Sequence, residues 1–385
     1  MTRPWSWAEL AAATLSRQFP RVQGDDPAAV VDLVRRVGPI QSQAARAPFL
    51  CVASRLPGTP RDAVAATYDA HDLVRSTSLR GTVHTSVRQQ HAALAAVSGQ
   101  TLVPQLRRML RMDHRAVQEF RGVLERLTED DWADHDRLLA GVVAWMRSRH
   151  HDESIAALET PGPRYTLRGH PLMLRRPRSA SAGWDSQAEV VYRSARFAID
   201  EQPGDPQDAL VALVRGHVAA SGPVTRRDLA WWSGAGLRGV DAAVSALGEE
   251  LVRRPGPNGL DYLDLAELRD GDGDGDGDVG LRLLPEYDAL LLAYDPAARD
   301  RFADAAAVSY TWNRTNGVHA PTVLVDGRVR GRWRLDRSGS SAVVVVEMLP
   351  GERAIDPGDL TDPATAVGRA LALTVNDVTV GVAAS

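Results

Sequence analysis

The sequence predicts an α+β fold in which helical modules, each closed by a pair of strands, lead into a strand-rich C-terminal region. Three observations predict it. Apolar residues recur at helical spacing over much of the first 255 positions. Three stretches there, at 73–86, 160–195 and 251–263, switch to strand-like patterns. From 279 to 385 the pattern is strands joined by turns, with Asp326-Gly327 as a strong hairpin signal. At roughly 100–200 residues per domain, the 385 residues correspond to two or three domains with ample core.

Trp7, Leu10 and Leu15 begin the apolar stripe of a first helix. A second follows Asp25-Asp26-Pro27, where proline suits the first turn. Val30, Val31, Leu33, Val34 and Val37 form its buried face, and Gly38-Pro39 ends it. The string IQSQAARAPFL comes next. Another helix leads into LVRSTSLRGTVHTS (73–86), which reads as a short strand or wing. Residues 84–150 are mostly helical, and the basic tail RSRHH suits a helix C-terminus. Residues 160–195 read as a β-ribbon with an arginine-rich, Ser/Gly-rich tip.

Residues 207–255 repeat the plan. Leu210, Val211, Leu213 and Val214 line one helix; Thr225 caps a second, with Asp228 completing a capping box. Gly234 and Gly236 mark the turn before a third helix, and a strand pair follows through 251–263. Helix, turn, helix and strand pair is a winged helix-turn-helix order. The run DGDGDGDGD at 270–278 has Leu281 or Leu283 where a calcium loop needs its twelfth-position carboxylate, so an acidic wing tip or linker is expected. Further on, 281–284, 321–325, 328–335 and 342–348 read as strands of a small barrel or sheet packed on the last helical module. VVVV at 343–346 lacks alternation and is expected to be buried on both faces.

All 45 basic residues are arginine; the chain contains no lysine. That excludes side-chain Schiff bases, and with them pyridoxal-phosphate chemistry, Walker-type nucleotide sites and kinase sites. The lone Cys51, among Phe49, Leu50 and Val52, reads as a small buried hydrophobe, and a chain with no possible internal disulfide fits a reducing compartment. No signal peptide or membrane span is read, so a cytoplasmic location is expected. The ten histidines show no metal-ligand spacing and no GxSxG elbow occurs, so neither metal nor cofactor is expected.

The arginines are more telling, despite a net charge of −4. RSTSLRGTVH gathers Arg75, Arg80 and His84 with hydroxyl residues that suit phosphate contact. RRPRSAS at 175–181 and RVRGRWR at 328–334 are similar. Arg328, Arg330, Arg332 and Arg334 fall on one face of a strand and repel each other unless a polyanion or carboxylates face them. Three such clusters on wings or hairpins favour nucleic acid. One of Trp231 and Trp232 must face inward on a helix; Trp312 and Trp333, beside arginines, are the candidates for base stacking.

IQSQAARAPF, RSTSLRGTVH, GPVTRRDLAWW, LLPEYDALLLAYD and NGVHAPTVLVDGRVRGRWR together resemble the winged-helix DNA glycosylase family that includes azinomycin-resistance and crosslink-unhooking bacterial enzymes, over residues 5–380 or so. The resemblance implies three tandem winged-helix modules in a C-shaped arrangement (1–117, 118–200 and 201–278) and a C-terminal β-barrel (279–385). It also implies a catalytic motif of Gln, an aliphatic residue, then Gln or Asp, which here reads Gln41-Ser42-Gln43, with serine in the aliphatic position. The implied substrate is double-stranded DNA carrying bulky or crosslinked N7-alkylguanine, hydrolysed by a monomeric, monofunctional enzyme that protects against a DNA-alkylating natural product. Backbone contacts fall to Arg75, Arg80 and His84. Arg328, Arg330, Arg332 and Trp333 are assigned to the groove or backbone near the lesion. The competing readings are a non-catalytic winged-helix regulator and a protein-interaction scaffold.

Overall fold

The computed structural model describes residues 3–160, 162, 165–179, 183–186, 189–268, 279–313, 315 and 317–383; the acidic run at 270–278 lies outside them. The expected helices begin where their caps require. Asp26 accepts from the Ala29 N–H with Pro27 in the first turn, and Gly38 (φ 85°) closes that helix.

Five antiparallel strands form the sheet nearest the site: β1 (Ile40–Gln41), β2 (Leu73–Thr77), β3 (Val83–Val87), β4 (Met173–Pro177) and β5 (Val190–Ser194), in the order β1-β3-β2-β4-β5. Of the ribbon expected at 160–195, β4 and β5 are present and join β2 through Ser76 opposite Leu174, while its tip at 180–182 lies outside the described residues. Strands β2 and β3 are buried on both faces, under the helices Pro27–Val37, Arg61–Asp69 and Arg88–Thr101. Their Arg75, Ser76, Thr77, His84 and Thr85 therefore need internal partners.

Strands β6 (Val224–Thr225), β7 (Leu251–Pro255) and β8 (Asp261–Leu265) pair in the order β6-β8-β7 beside the helices Pro206–Ser221, Arg226–Ser233 and Leu237–Leu247. Thr225 and Asp228 form the expected capping box, and Gly234 closes the second helix at φ 70°. Trp232 is the inward tryptophan of its pair.

The C-terminal region corrects three expectations. After β9 (Leu281–Leu284) and the short pair β10 (Trp312–Asn313) and β11 (Val318–His319) come β12 (Thr322–Val325), β13 (Arg328–Ser338), β14 (Ser341–Met348) and β15 (Thr374–Val382). The sheet runs β15-β14-β13-β12-β9 and is open, not the expected β-barrel. The crossover helix Thr361–Leu371, which the parallel β14–β15 pair requires, lies against both edge strands β15 and β9 and fills the space that closure would need. Because that helix covers one face, β14 alternates: Ala342, Val344, Val346 and Met348 are buried while Val343 and Val345 are half-exposed. The sheet also packs mainly on the first helical module rather than the last. Trp333, Val344, Val346 and Leu360 share a core with Phe49, Leu50, Tyr68 and Trp184. Burying each such large side chain contributes about 1.5–3 kcal/mol. The Asp326-Gly327 turn forms with both residues at positive φ (47° and 75°), as a tight hairpin demands.

Candidate functional site

Gly38-Pro39 turns the chain out of its helix and delivers β1 to the edge of the sheet. The register sets Gln41 opposite His84, and His84 opposite Ser76, while Ile40, Thr85 and Arg75 align on the other face. Directly opposed residues share a face. Gln41, Arg80 and His84 accordingly line one cavity, and Gln43, just past the end of β1, lines a second with Arg75. The Gln41 Oε1 accepts from the Arg80 Nη2 at 3.1 Å, and the Gln43 Oε1 accepts from the Val83 N–H at 3.3 Å. Guanidinium and amide N–H groups only donate, so both side-chain amide orientations are fixed.

Ser42 is buried, and its Oγ accepts from the Thr85 hydroxyl at 3.2 Å. Thr85 in turn lies 2.8 Å from the Tyr68 hydroxyl. A short buried hydroxyl chain thus takes the place of an aliphatic contact between the two glutamines.

Arg80 sits in a left-handed conformation (φ 55°) at the tip of the β2–β3 turn. It donates to the Trp232 carbonyl at 2.7 Å and lies 4.4 Å from the Trp231 ring centroid, linking Gln41 to the helix Arg226–Ser233. Burial, with Arg299 nearby, lowers its pKa to about 10. Burial, reinforced by Arg80, pushes His84 down to about 3, and burial does the same to His217 across the cavity. Both imidazoles are neutral at physiological pH.

The Gln43 cleft has a different character. Arg75, Arg168, Arg175 and Arg176 line it together with Tyr165 and Tyr192, and among the described residues no carboxylate does. Arg75 donates to the carbonyls of Trp184 (3.1 Å) and Ala45 (3.0 Å) and lies 5.2 Å from the Tyr68 ring, so its guanidinium braces the cleft wall. Arg175 donates to Thr77 and to the Arg168 carbonyl; burial and the neighbouring Arg168 and Arg75 lower its pKa to about 10. Arg176 lies over Trp132, and Arg168 over Tyr165, which is 64% exposed. The sequence pattern pointed to Arg175 and Arg176 through RRPRSAS. Arg168 and Tyr165 carry no local signal and come to the cleft only through the fold.

Residues 34–373 match the family described as DNA glycosylase AlkZ-like. The chain belongs to that family. It is 25% identical over 340 residues to an interstrand DNA cross-link repair glycosylase of Streptomyces sahachiroi, covering 86% of this chain and 88% of the relative. The solved structure of the Streptomyces sahachiroi DNA glycosylase AlkZ superposes with a TM-score of 0.75 at 20% identity, over 99% of this chain and 100% of that one. The two therefore share a fold.

In this AlkZ-like chain the C-terminal hairpin is electrostatically quieter than its sequence suggests. Arg330 pairs with Glu352 and Arg332 with Glu347, both at 2.6 Å, and Arg334 pairs with Asp336. Arg328 donates to the Asp300 carbonyl at 2.7 Å. Trp333 is 3% exposed on the opposite face, its indole N–H donating to the Leu284 carbonyl at 2.8 Å. It is a core residue and cannot stack on a base. Trp312 is half-buried and stacked on His319 at 5.2 Å.

A second polar constellation went unnoticed in the sequence. Ser76 Oγ lies 2.9 Å from His91 Nε2, and His91 Nδ1 lies 2.6 Å from Glu201. The order matches a hydrolytic triad. All three residues are buried, and none lines a described cavity, so the chain pins the helix Arg88–Thr101 to β2 instead. Among the described residues no three His, Cys, Asp or Glu gather as metal ligands do, and no helix is long and apolar enough to cross a membrane.

Proposed function

We propose that this chain is a monofunctional DNA glycosylase that hydrolyses the N-glycosidic bond of cationic N7-alkylguanine, bulky and crosslinked adducts included. The carrying observation is the cleft of four arginines opening on Gln43, lined by no carboxylate among the described residues, with Gln41 two residues away. Phosphates of a duplex neutralise such a cleft and hold the lesion sugar beside the glutamines. Arg168 and Arg176 serve as the main backbone contacts. Arg328, Arg330 and Arg332 contribute where phosphates displace Glu347 and Glu352. We infer three tandem winged-helix modules in a C-shaped arrangement (1–117, 118–200 and 201–278), the first two sharing the five-stranded sheet, as the frame that presents this cleft to a duplex.

The chemistry follows from charge. In N7-alkylguanine the base already carries a positive charge. As the C1′–N9 bond breaks, its electron pair passes to the purine, which leaves neutral, and the sugar becomes an oxocarbenium ion. Each glutamine carbonyl is oriented by a protein donor, and a carbonyl dipole so held presents its negative end to a water or to the developing cation. Water adds to C1′ and its proton passes to solvent. A glutamine is no base, so neutral damaged bases are poor substrates. With no lysine there is no side-chain amine for imine-based strand cleavage. The substrate range fits self-resistance to a DNA-alkylating natural product, acting on nucleoid DNA as a monomer.

The test is base release from duplex containing N7-methylguanine. Gln43→Ala should slow it about 100-fold or more, the scale for losing one preorganised polar contact. Unchanged release, or strand nicking before any alkali, would overturn the reading; sequence-selective binding of undamaged DNA without release would establish the regulator instead.

A further inference from the structure

We propose that the cavity behind Gln41 is a seat for a neutral nucleobase rich in N–H donors, of the kind set free when N7-alkylguanine leaves DNA. The inference rests on the glycosylase reading and adds a binding site to it. The cavity is lined by Gln41 and not by Gln43, and lies between the end of the helix Pro27–Val37 and the helix Pro206–Ser221. Gly38, Ala212 and Gly216, with little or no side chain, leave a cavity of about 70 Å³ that opens to solvent at its mouth. Trp232 stacks on His217 at 4.0 Å and 23°, giving one wall planar aromatic groups.

Its hydrogen-bonding character is that of an acceptor. His84 Nδ1 lies 3.1 Å from the Thr82 carbonyl, and His217 Nε2 lies 3.1 Å from the Ala293 carbonyl. A carbonyl only accepts, so those nitrogens carry the protons and the other nitrogen of each neutral ring is a bare acceptor. Gln90 gives its amide N–H to the Arg35 carbonyl at 3.3 Å, while its Oε1 is buried with no partner among the described residues. An unmet buried acceptor of this kind is unfavourable unless a ligand supplies a donor. Guanine offers N1–H and an exocyclic amine along one edge.

Charge then selects product over substrate. Arg80 lines the cavity and, among the described residues, no carboxylate does. A cationic N7-alkylguanine still joined to its sugar is repelled there. The same base is accepted once the glycosidic electron pair has neutralised it.

Free 7-methylguanine, titrated into the full chain by calorimetry, should bind saturably, and caffeine, a purine with no N–H, should not. A Cβ at Gly216 meets nothing within 4 Å, so Gly216→Leu starts unobstructed from the cavity wall and occupies its space. It should weaken 7-methylguanine at least about tenfold while the melting temperature holds. Gln90→Leu removes the orphan acceptor and should weaken it about fivefold without loss of stability. A protein that releases N7-methylguanine from duplex yet fails to bind the free base, or that binds it equally in both variants, or that binds caffeine as well, overturns the seat. A protein that binds the free base as described but releases none from DNA keeps the seat and loses the glycosylase reading.

Discussion

The arginines of the Gln43 cleft and those of the β12–β13 hairpin are the same residue type put to opposite electrostatic ends. In the cleft, Arg75, Arg168, Arg175 and Arg176 face one another and carbonyl oxygens, with no acid lining the surface among the described residues. On the hairpin, cross-strand pairing sets Arg332 opposite Glu347, and the following turn brings Glu352 to Arg330. The cleft keeps its positive potential for a ligand; the hairpin neutralises most of its own. A count of arginines therefore says little about where a polyanion binds. The positions of the carboxylates decide it.

Four measurements would break or sharpen this contrast. The largest effect belongs to the cleft: Arg168→Glu with Arg176→Glu should weaken duplex binding about 100-fold and flatten the dependence on salt by about two phosphate contacts. An unchanged salt slope would remove the cleft from the interface.

The second concerns the neutral imidazoles beside Arg80. His84 and His217 have folded pKa values of about 3 against an ordinary 6.5. Between those values the unfolded chain binds more protons. Their contribution is complete above about pH 6.5 and is lost as pH falls, by about 1.4 kcal/mol per pH unit for each ring. His217→Phe should flatten the fall of melting temperature with acidity. If the slope is unaltered, that imidazole is not held neutral, and the positive charge near Gln41 grows in acid.

Third, neutralising the hairpin carboxylates with Glu347→Gln and Glu352→Gln should tighten duplex binding about fivefold, because freed arginines become available to phosphates. The smallest effect is expected for Arg330→Ala with Arg332→Ala: less than about threefold in affinity, since exposed ion pairs are worth about 0–1 kcal/mol. A large loss there would transfer the main contact from cleft to hairpin.

Much of the fold was legible because its signals are local. Asp26-Pro27, the Thr225–Asp228 box, Gly234 and Asp326-Gly327 each fix a turn or cap through their own backbone preferences. Gln41-Ser42-Gln43 was singled out through the family resemblance alone, since its place after Gly38-Pro39 reads by itself as a polar turn, and its catalytic role is a proposal. Trp333 was misplaced although its signal was available: the two-residue period that aligns Arg328, Arg330 and Arg332 puts Val329 and Trp333 on the opposite, buried face. The alternation hidden in VVVV was not available. Four identical side chains carry no pattern, and the helix Thr361–Leu371 with the core it shares with Phe49, Leu50 and Tyr68 decides which of them is covered.

By itself the sequence determined the element types, their ends, the absence of lysine chemistry and the pair of glutamines, since each depends on a residue and its near neighbours. Only the tertiary structure decided that β4 and β5 join β2, that the C-terminal sheet stays open, that Arg168 meets Arg175 and Arg176 without an acid, and that Arg80 holds Gln41. Those outcomes depend on groups that are not neighbours in the chain, many of them tens to hundreds of residues apart, and the electrostatic and packing energies between them exist only once the chain has brought them together.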